Sequence, residues 1–196
     1  MIYDISQPLF ECEVFPGDPK PEKTELLRIS KGGLYNLTAI SMCVHNGTHI
    51  DAPYHFIENG NGVDRICLTR FVGPAYVETH HGEVKKSDAK QIIEHAQRLN
   101  ERAWKKILIK GNATVTFEAA EVFADAGIDL IGNESQTIGP ENAPMAVHLA
   151  LLQKEIVLLE GIRLAHVPDG VYLLNCAPLN LTETDGSPCR AILMDL

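Results

Sequence analysis

The stretch HNGTHIDAPYHF, His45 to Phe56, places His45, His49, Asp51 and His55 at odd-numbered positions. Side chains two and four residues apart in extended backbone project to the same side, so the four can converge whether the segment is strand, turn or both. Gly47 and Pro53 disfavour a regular helix through it. Three imidazoles and a carboxylate within eleven residues suit a borderline divalent ion such as Zn2+ or Mn2+: neutral imidazole offers a directed lone pair, and a carboxylate offsets the ion's charge and can bridge two ions. Gly47 lets the backbone come close, and Thr48 offers a hydroxyl to support the ligands from outside. A lone histidine reads as a surface group or a hydrogen-bonded core residue. Four ligating residues in one short window outweigh that reading.

Outward from this stretch, the pattern is that of an α/β domain. Tyr35–Val44 alternates, with Ile40, Met42 and Val44 on one side and Leu37, Ala39 and Cys43 on the other, which predicts a half-buried strand. Short apolar runs at Ala75–Val77, Ile107–Ile109, Leu130–Ile131, Ile156–Leu159, Val171–Leu174 and Ala191–Met194 predict buried strands. Three helices are expected. Ser87 can cap one carrying Ala89, Ile92, Ile93, Ala96 and Leu99 at helical spacing; Thr116 can cap a second that Gly127 ends; and a third opens near Asn142 through Pro144 and runs past His148 to about Lys154. The Pro-rich segment Phe15–Pro21 reads as a loop. With no repeat and no linker, residues 1–196 read as one domain with a mixed β-sheet core and packed helices; the strand order stays open.

The composition narrows the partners. A formal charge of -9 argues against a nucleic-acid partner, since phosphate binders concentrate Lys and Arg. No apolar run approaches the roughly 18 residues that would suggest a membrane span, and the start, MIYDISQPLF, lacks a basic leader followed by an apolar run. Five scattered cysteines, with no CxxC pair, fit free thiols in a reducing compartment, which places the protein in the cytoplasm. Cys43 and Cys67 read as small apolar residues. His80, His81, His95 and His166 have no partner at ligand spacing, and Asp185 and Arg190 read as structural or subunit contacts.

The stretch resembles the H-x-G-T-H-x-D-x-P-x-H-F signature of the cyclase family of metal-dependent hydrolases, which includes bacterial kynurenine formamidase and isatin hydrolase. The similarity continues through GNGVDRICLTRFVGPAYV (60–77), VHLALLQKEIVLLEGI (147–162) and CAPLNLTETDGSPCRAIL (176–193). The resemblance implies a swivelling β/α/β-like fold and a homodimer or higher homo-oligomer. It implies that His45, His49 and Asp51 bind metal, that His148 and Glu160 complete a second position, and that His55 moves protons. One or two ions are implied, Zn2+ ahead of Mn2+. From pattern alone, His148 on an apolar helical stretch reads as a hydrogen-bonded core residue. Glu160 reads equally as a strand-end acid reaching solvent or as a buried carboxylate that needs a partner.

The implied activity is hydrolysis of the amide of a small N-acyl or cyclic substrate: an ion acidifies water, the resulting hydroxide attacks the carbonyl, and His55 returns the proton to the leaving nitrogen. Two departures bear on the substrate. Phe15 stands where kynurenine formamidase has a tryptophan against its aromatic substrate, and Asn133–Gln136 replaces the family's usual loop. The alternatives are a catalytically silent metal or small-ligand binding protein on the same scaffold, and a lactone hydrolase or dehydrating cyclase using the same hydroxide.

Overall fold

Apolar runs of strand length, separated by amphipathic segments, fold here as alternating strands and helices. The computed structural model describes residues 1–196. The first part carries β1 (Ile2–Asp4), β2 (Glu22–Leu27), β3 (Leu37–Ser41) and β4 (His49–Asp51). An alternating stretch follows: β5 (Val72–Thr79), β6 (Gly82–Val84), α1 (Lys86–Leu99), β7 (Lys106–Lys110), β8 (Ala113–Val115), α2 (Phe117–Ala126), β9 (Leu130–Asn133), α3 (Met145–Leu152) and β10 (Val157–Glu160). The chain closes with β11 (Gly170–Asn175), β12 (Gly186–Pro188) and β13 (Ile192–Asp195).

Nine strands form one sheet in the order β1-β13-β11-β5-β7-β9-β10-β4-β12. The central pairs β5/β7, β7/β9 and β9/β10 are parallel and the flanking pairs antiparallel, so the sheet is mixed, as expected. Parallel neighbours need crossovers, and α1, α2 and α3 supply them. Period-2 alternation sends Tyr76, Ile107, Ile109, Ile131 and Leu158 to the helix-covered face, where they pack with Ile92, Phe123 and Leu151. The intervening residues, Ala75, Val77, Leu108, Leu130, Val157 and Leu159, pack on the other face with Ile5, Phe71, Ile162 and Leu164. Fully burying each large aliphatic side chain contributes about 1.5–3 kcal/mol.

Local chemistry sets the helix ends. Thr116 Oγ1 accepts from the Ala119 N–H at 3.3 Å, and Gly127 leaves α2 at φ 68°, as the sequence predicts. Ser87 does not cap α1. The helix starts one residue earlier, and Asp88 accepts from the Lys85 N–H at 2.9 Å, so a carboxylate in the first turn closes that end. Pro144 precedes α3, which ends at Leu152, two residues short of expectation.

The predicted strand Tyr35–Val44 is corrected. Only Leu37–Ser41 is strand, and all five residues are exposed. It pairs solely with β2, whose six residues are also exposed. The alternation in the sequence therefore belongs to a two-stranded arm that this chain leaves uncovered on both faces.

Candidate active site

The register of the sheet's last strands builds the site. β4 runs antiparallel to β10 with His49 opposite Glu160 and Asp51 opposite Leu158. Ile50 points to the core face that carries Leu159, so His49 and Asp51 point to the helix side. Glu160, two residues from Leu158, points there too. Helix α3 lowers His148 onto the same spot, putting its Nε2 3.2 Å from Glu160 Oε1. The cluster thus lies at the carboxyl end of β10, the usual place for ligands in open α/β sheets. Gly47, at φ 69°, turns the chain into β4, and Thr48 Oγ1 donates to the Gly161 carbonyl at 2.7 Å. That bond ties the loop before β4 to the residue after Glu160. Gly161, at φ 68°, has no room for a side chain: a Cβ would lie 2.3 Å from the Gly47 carbonyl.

His49, Asp51, His148 and Glu160 are each at most 2% exposed. His148 Nε2 lies within hydrogen-bond distance of Glu160 Oε1, but the other facing pairs are spaced more widely: His49 Nε2 is 3.4 Å from Asp51 Oδ1 and 3.5 Å from Glu160 Oε2, and His148 Nε2 is 3.5 Å from Asp51 Oδ2. Two atoms each about 2.1 Å from a tetrahedral ion stand about 3.4 Å apart. Asp51 Oδ2 is buried without a hydrogen-bond partner, an arrangement that costs free energy unless a cation or proton answers it.

The imidazoles are oriented from outside. His49 Nδ1 donates to the Gly47 carbonyl and His148 Nδ1 to the Pro144 carbonyl, both at 2.9 Å. A carbonyl only accepts, so each ring turns Nε2, the nitrogen able to present a lone pair, into the cluster. These residues fit a divalent ion. Two groups, His45–Asp51–His55 and His49–Asp51–Glu160, each bring ligand-type atoms within 4.8 Å of one another, and they share Asp51.

Without an ion, protons balance the acids. Burial opposes charge on His45, but bonds to Asp185 and Asp51 push its pKa up to about 10. Burial likewise opposes charge on His49 and His148, and contacts with Asp51 and Glu160 push both up to about 10. Burial works against ionising Asp51, yet the imidazoles of His148, His45 and His49 hold its carboxyl well below the usual range.

All the residues expected at the site meet here. A cavity of about 240 Å³ opens on the cluster; His45, His49, His55, His148 and Glu160 line it, with Phe15, Phe56 and Pro144 as its apolar wall. His55 sits in a short turn, Pro53–His55, its ring centroid 4.1 Å from that of His45. The replaced loop divides its work. Gln136 and Thr137 line the cavity, whereas the Glu134 carboxylate accepts from the backbone N–H groups of Gly111 and Leu164 at 2.6 and 2.7 Å.

Asp185, read from sequence as a structural contact, belongs to this cluster. Its Oδ2 accepts from His45 Nε2 at 2.8 Å and lies 3.4 Å from His55 Nδ1. Those two imidazoles hold its carboxyl well below the usual range, against a smaller opposing effect of burial.

Known structures share this fold. One described as a potential metal-dependent hydrolase with cyclase activity superposes with a TM-score of 0.83 at 28% identity, over 100% of this chain and 98% of that one. Isatin hydrolase A from Labrenzia aggregata, bound to benzyl benzoate, gives 0.84 at 23% identity over 100% and 93%, a likeness of fold. Fold and donor set together define a metal-dependent hydrolase. The family model described as "Putative cyclase" matches residues 3–140. The kynurenine formamidase of Bacillus cytotoxicus is 35% identical over 98% of this chain and 97% of its own length, and that of Erythrobacter litoralis 32% over 100% and 94%. The chain belongs to the cyclase family.

Proposed function

We propose that residues 1–196 form one hydrolase domain that cleaves the amide of a small N-acyl or cyclic amide, with an aromatic N-formyl amine of the kynurenine formamidase type as the first candidate. The observation that carries this reading is the buried donor set His49, Asp51, His148 and Glu160, with Asp51 Oδ2 unpartnered, at the floor of a cavity with an aromatic wall. His45, His49 and Asp51 hold one divalent ion, and Asp51, shared, with His148 and Glu160 offers a second position. The imidazole and carboxylate set favours Zn2+, with Mn2+ as the alternative. When bound, such an ion supplies Lewis acidity, making a hydroxide available near neutral pH and polarising the scissile carbonyl.

The chain's own residues do the rest. Phe15 and Phe56 cover the aromatic part of the substrate, and their apolar faces exclude water from the scissile bond. His55, which lines the cavity, accepts the proton released on attack and returns it to the leaving nitrogen, the work of a general acid–base. A pure binding site has no need of such a side chain, which favours an enzyme over a silent binding protein.

The arm formed by β2 and β3 supports a homodimer. Leu26, Leu27, Leu37 and Ile40 are all exposed on it, and Leu34 at its tip is 94% exposed, an apolar surface that a second copy would cover. The five cysteines are all free thiols, which supports a cytoplasmic setting. No helix is long and apolar enough to cross a membrane.

The test is a panel of N-formylkynurenine, isatin, simple lactams and lactones assayed with metal-loaded protein of measured metal content. Turnover of the amides is expected. Full metal occupancy with no turnover on any substrate supports the silent binding protein, and turnover confined to lactones supports the lactone hydrolase.

A further inference from the structure

His45 differs from the other two buried imidazoles in what orients it. The outward nitrogens of His49 and His148 donate to backbone carbonyls fixed by the fold. The outward nitrogen of His45, Nε2, instead meets a side chain, Asp185, while Nδ1 faces Asp51 Oδ1 at 2.9 Å. The same Asp185 oxygen stands 3.4 Å from His55 Nδ1. Asp185 reaches this place because β12 pairs antiparallel with β4, Gly186 opposite Asp51, and the Ala52 N–H donates to the Asp185 carbonyl at 2.9 Å. The position is tight: a Cβ on Gly186 would lie 2.6 Å from the Ile50 carbonyl and 2.8 Å from the His45 ring. A larger residue there would push the two strands, and with them Asp185 and His45, apart.

We infer that Asp185 is a positioning residue that one carboxylate oxygen makes common to the two outer histidines: it fixes His45 with Nδ1 turned to the buried acids, and it pairs with His55 at Nδ1 across 3.4 Å, an ion-pair distance. This rests on the proposed function, with His45 as a metal ligand and His55 as the proton carrier. A carboxylate behind a ligating imidazole sets its tautomer and raises its basicity, and losing such a partner typically lowers metal affinity about 10–100-fold. At His55 the same carboxylate, 3.4 Å from Nδ1, draws the ring's proton to that side electrostatically and leaves Nε2 to take a proton from the reacting group. The coupling is economical in geometry. The side chain that orients a ligand of the ion also orients the proton carrier beside it, so ion loading and proton transfer are set by one residue outside the buried cluster.

The test uses full-length protein with Asp185→Ala, Asp185→Asn and, as a neighbouring control, Glu183→Gln, whose exposed side chain pairs with Arg65 at 3.7 Å. Zn2+ affinity is measured on ion-free protein by competition with a chromophoric chelator. Hydrolysis of N-formylkynurenine is then followed at saturating Zn2+. The expected result for Asp185→Ala is Zn2+ affinity lower by about 10–100-fold and, with the ion restored, a lower kcat at nearly unchanged KM. Asp185→Asn keeps an oxygen to accept from His45 at 2.8 Å but loses the charge that acts on His55 across 3.4 Å, so it should recover most of the affinity and little of the kcat. Glu183→Gln should match wild type in both. Wild-type affinity and kcat in both Asp185 variants would overturn the inference and leave the proposed function standing; wild-type protein that hydrolyses the substrate without a metal would take both down. Should Asp185→Ala fail to fold, Asp185→Asn still decides, since it keeps the carboxylate's shape and wild-type kcat in it contradicts the shared role.

Discussion

The site has two halves that differ in what holds them. The inner half, His49, Asp51, His148 and Glu160, stands on two paired strands and a helix and is almost wholly buried. The outer half, His45, His55, Asp185 and Phe15, stands on turns and loops and is less buried, with the side chains 11% exposed at His45, 28% at His55 and 41% at Asp185. The difference sets most of the proposed ion ligands on the buried half and the proposed proton carrier on the more exposed one, with His45 and Asp185 between them. The inner residues are preorganised by sheet register, the kind of scaffold that fixes ligand positions most firmly. Of the outer residues, His45, His55 and Phe15 line the cavity.

The largest break should come from the inner half. Asp51→Asn should abolish hydrolysis and leave the protein unable to retain its ion through desalting, as measured by elemental analysis. In the outer half, His55→Ala should lower kcat by about 10²–10⁴-fold, the range for a general acid–base, with metal content kept. Loss of the ion in that variant would instead make His55 a ligand, as its place beside His45 and Asp51 allows.

The pH dependence of metal binding sharpens the inner half further. His45, His49 and His148 have pKa values raised to about 10 in the ion-free protein, so all three carry protons at pH 7, and ligation requires their neutral form. Binding an ion must therefore release protons, and affinity must rise as pH rises towards 10. Calorimetry in buffers of different ionisation enthalpy reads the proton count directly; zero protons released at pH 7 would contradict the account.

Smaller effects belong to the rim. Phe15→Ala should raise KM by about 3–30-fold, with kcat less affected, since the aromatic face contributes binding area and takes no part in proton transfer. Ile40→Asp on the exposed arm should shift the mass seen by sedimentation towards the monomer while leaving the metal content of each chain unchanged.

The two halves were also unequally legible in the sequence. His45, His49, Asp51 and His55 fall in one window of eleven residues, so the residue types alone suggest a site. His148 and Glu160 have no such signal. Their approach depends on a helix crossing over to a strand, and only the family resemblance paired them. Asp185 was read as a structural contact because what brings it to His45 is the antiparallel register of β12 on β4, a long-range property invisible in local pattern. The parallel strands from Ala75 to Leu159 were legible because burial on both faces leaves continuous apolar runs. The alternation at Tyr35–Val44 misled for the opposite reason: it reflects a face that no part of this chain covers. Within Asn133–Gln136, Gln136 lines the cavity, with Thr137 beside it, while the Glu134 carboxylate is taken up by two backbone N–H groups.

The most direct test strips the protein of metal with a chelator and titrates Zn2+ back while following N-formylkynurenine hydrolysis. The account predicts no activity in the stripped protein, activity rising with added ion until one or two ions are bound per chain, and no recovery in Asp51→Asn at any Zn2+ concentration. Undiminished hydrolysis by the stripped enzyme would contradict it.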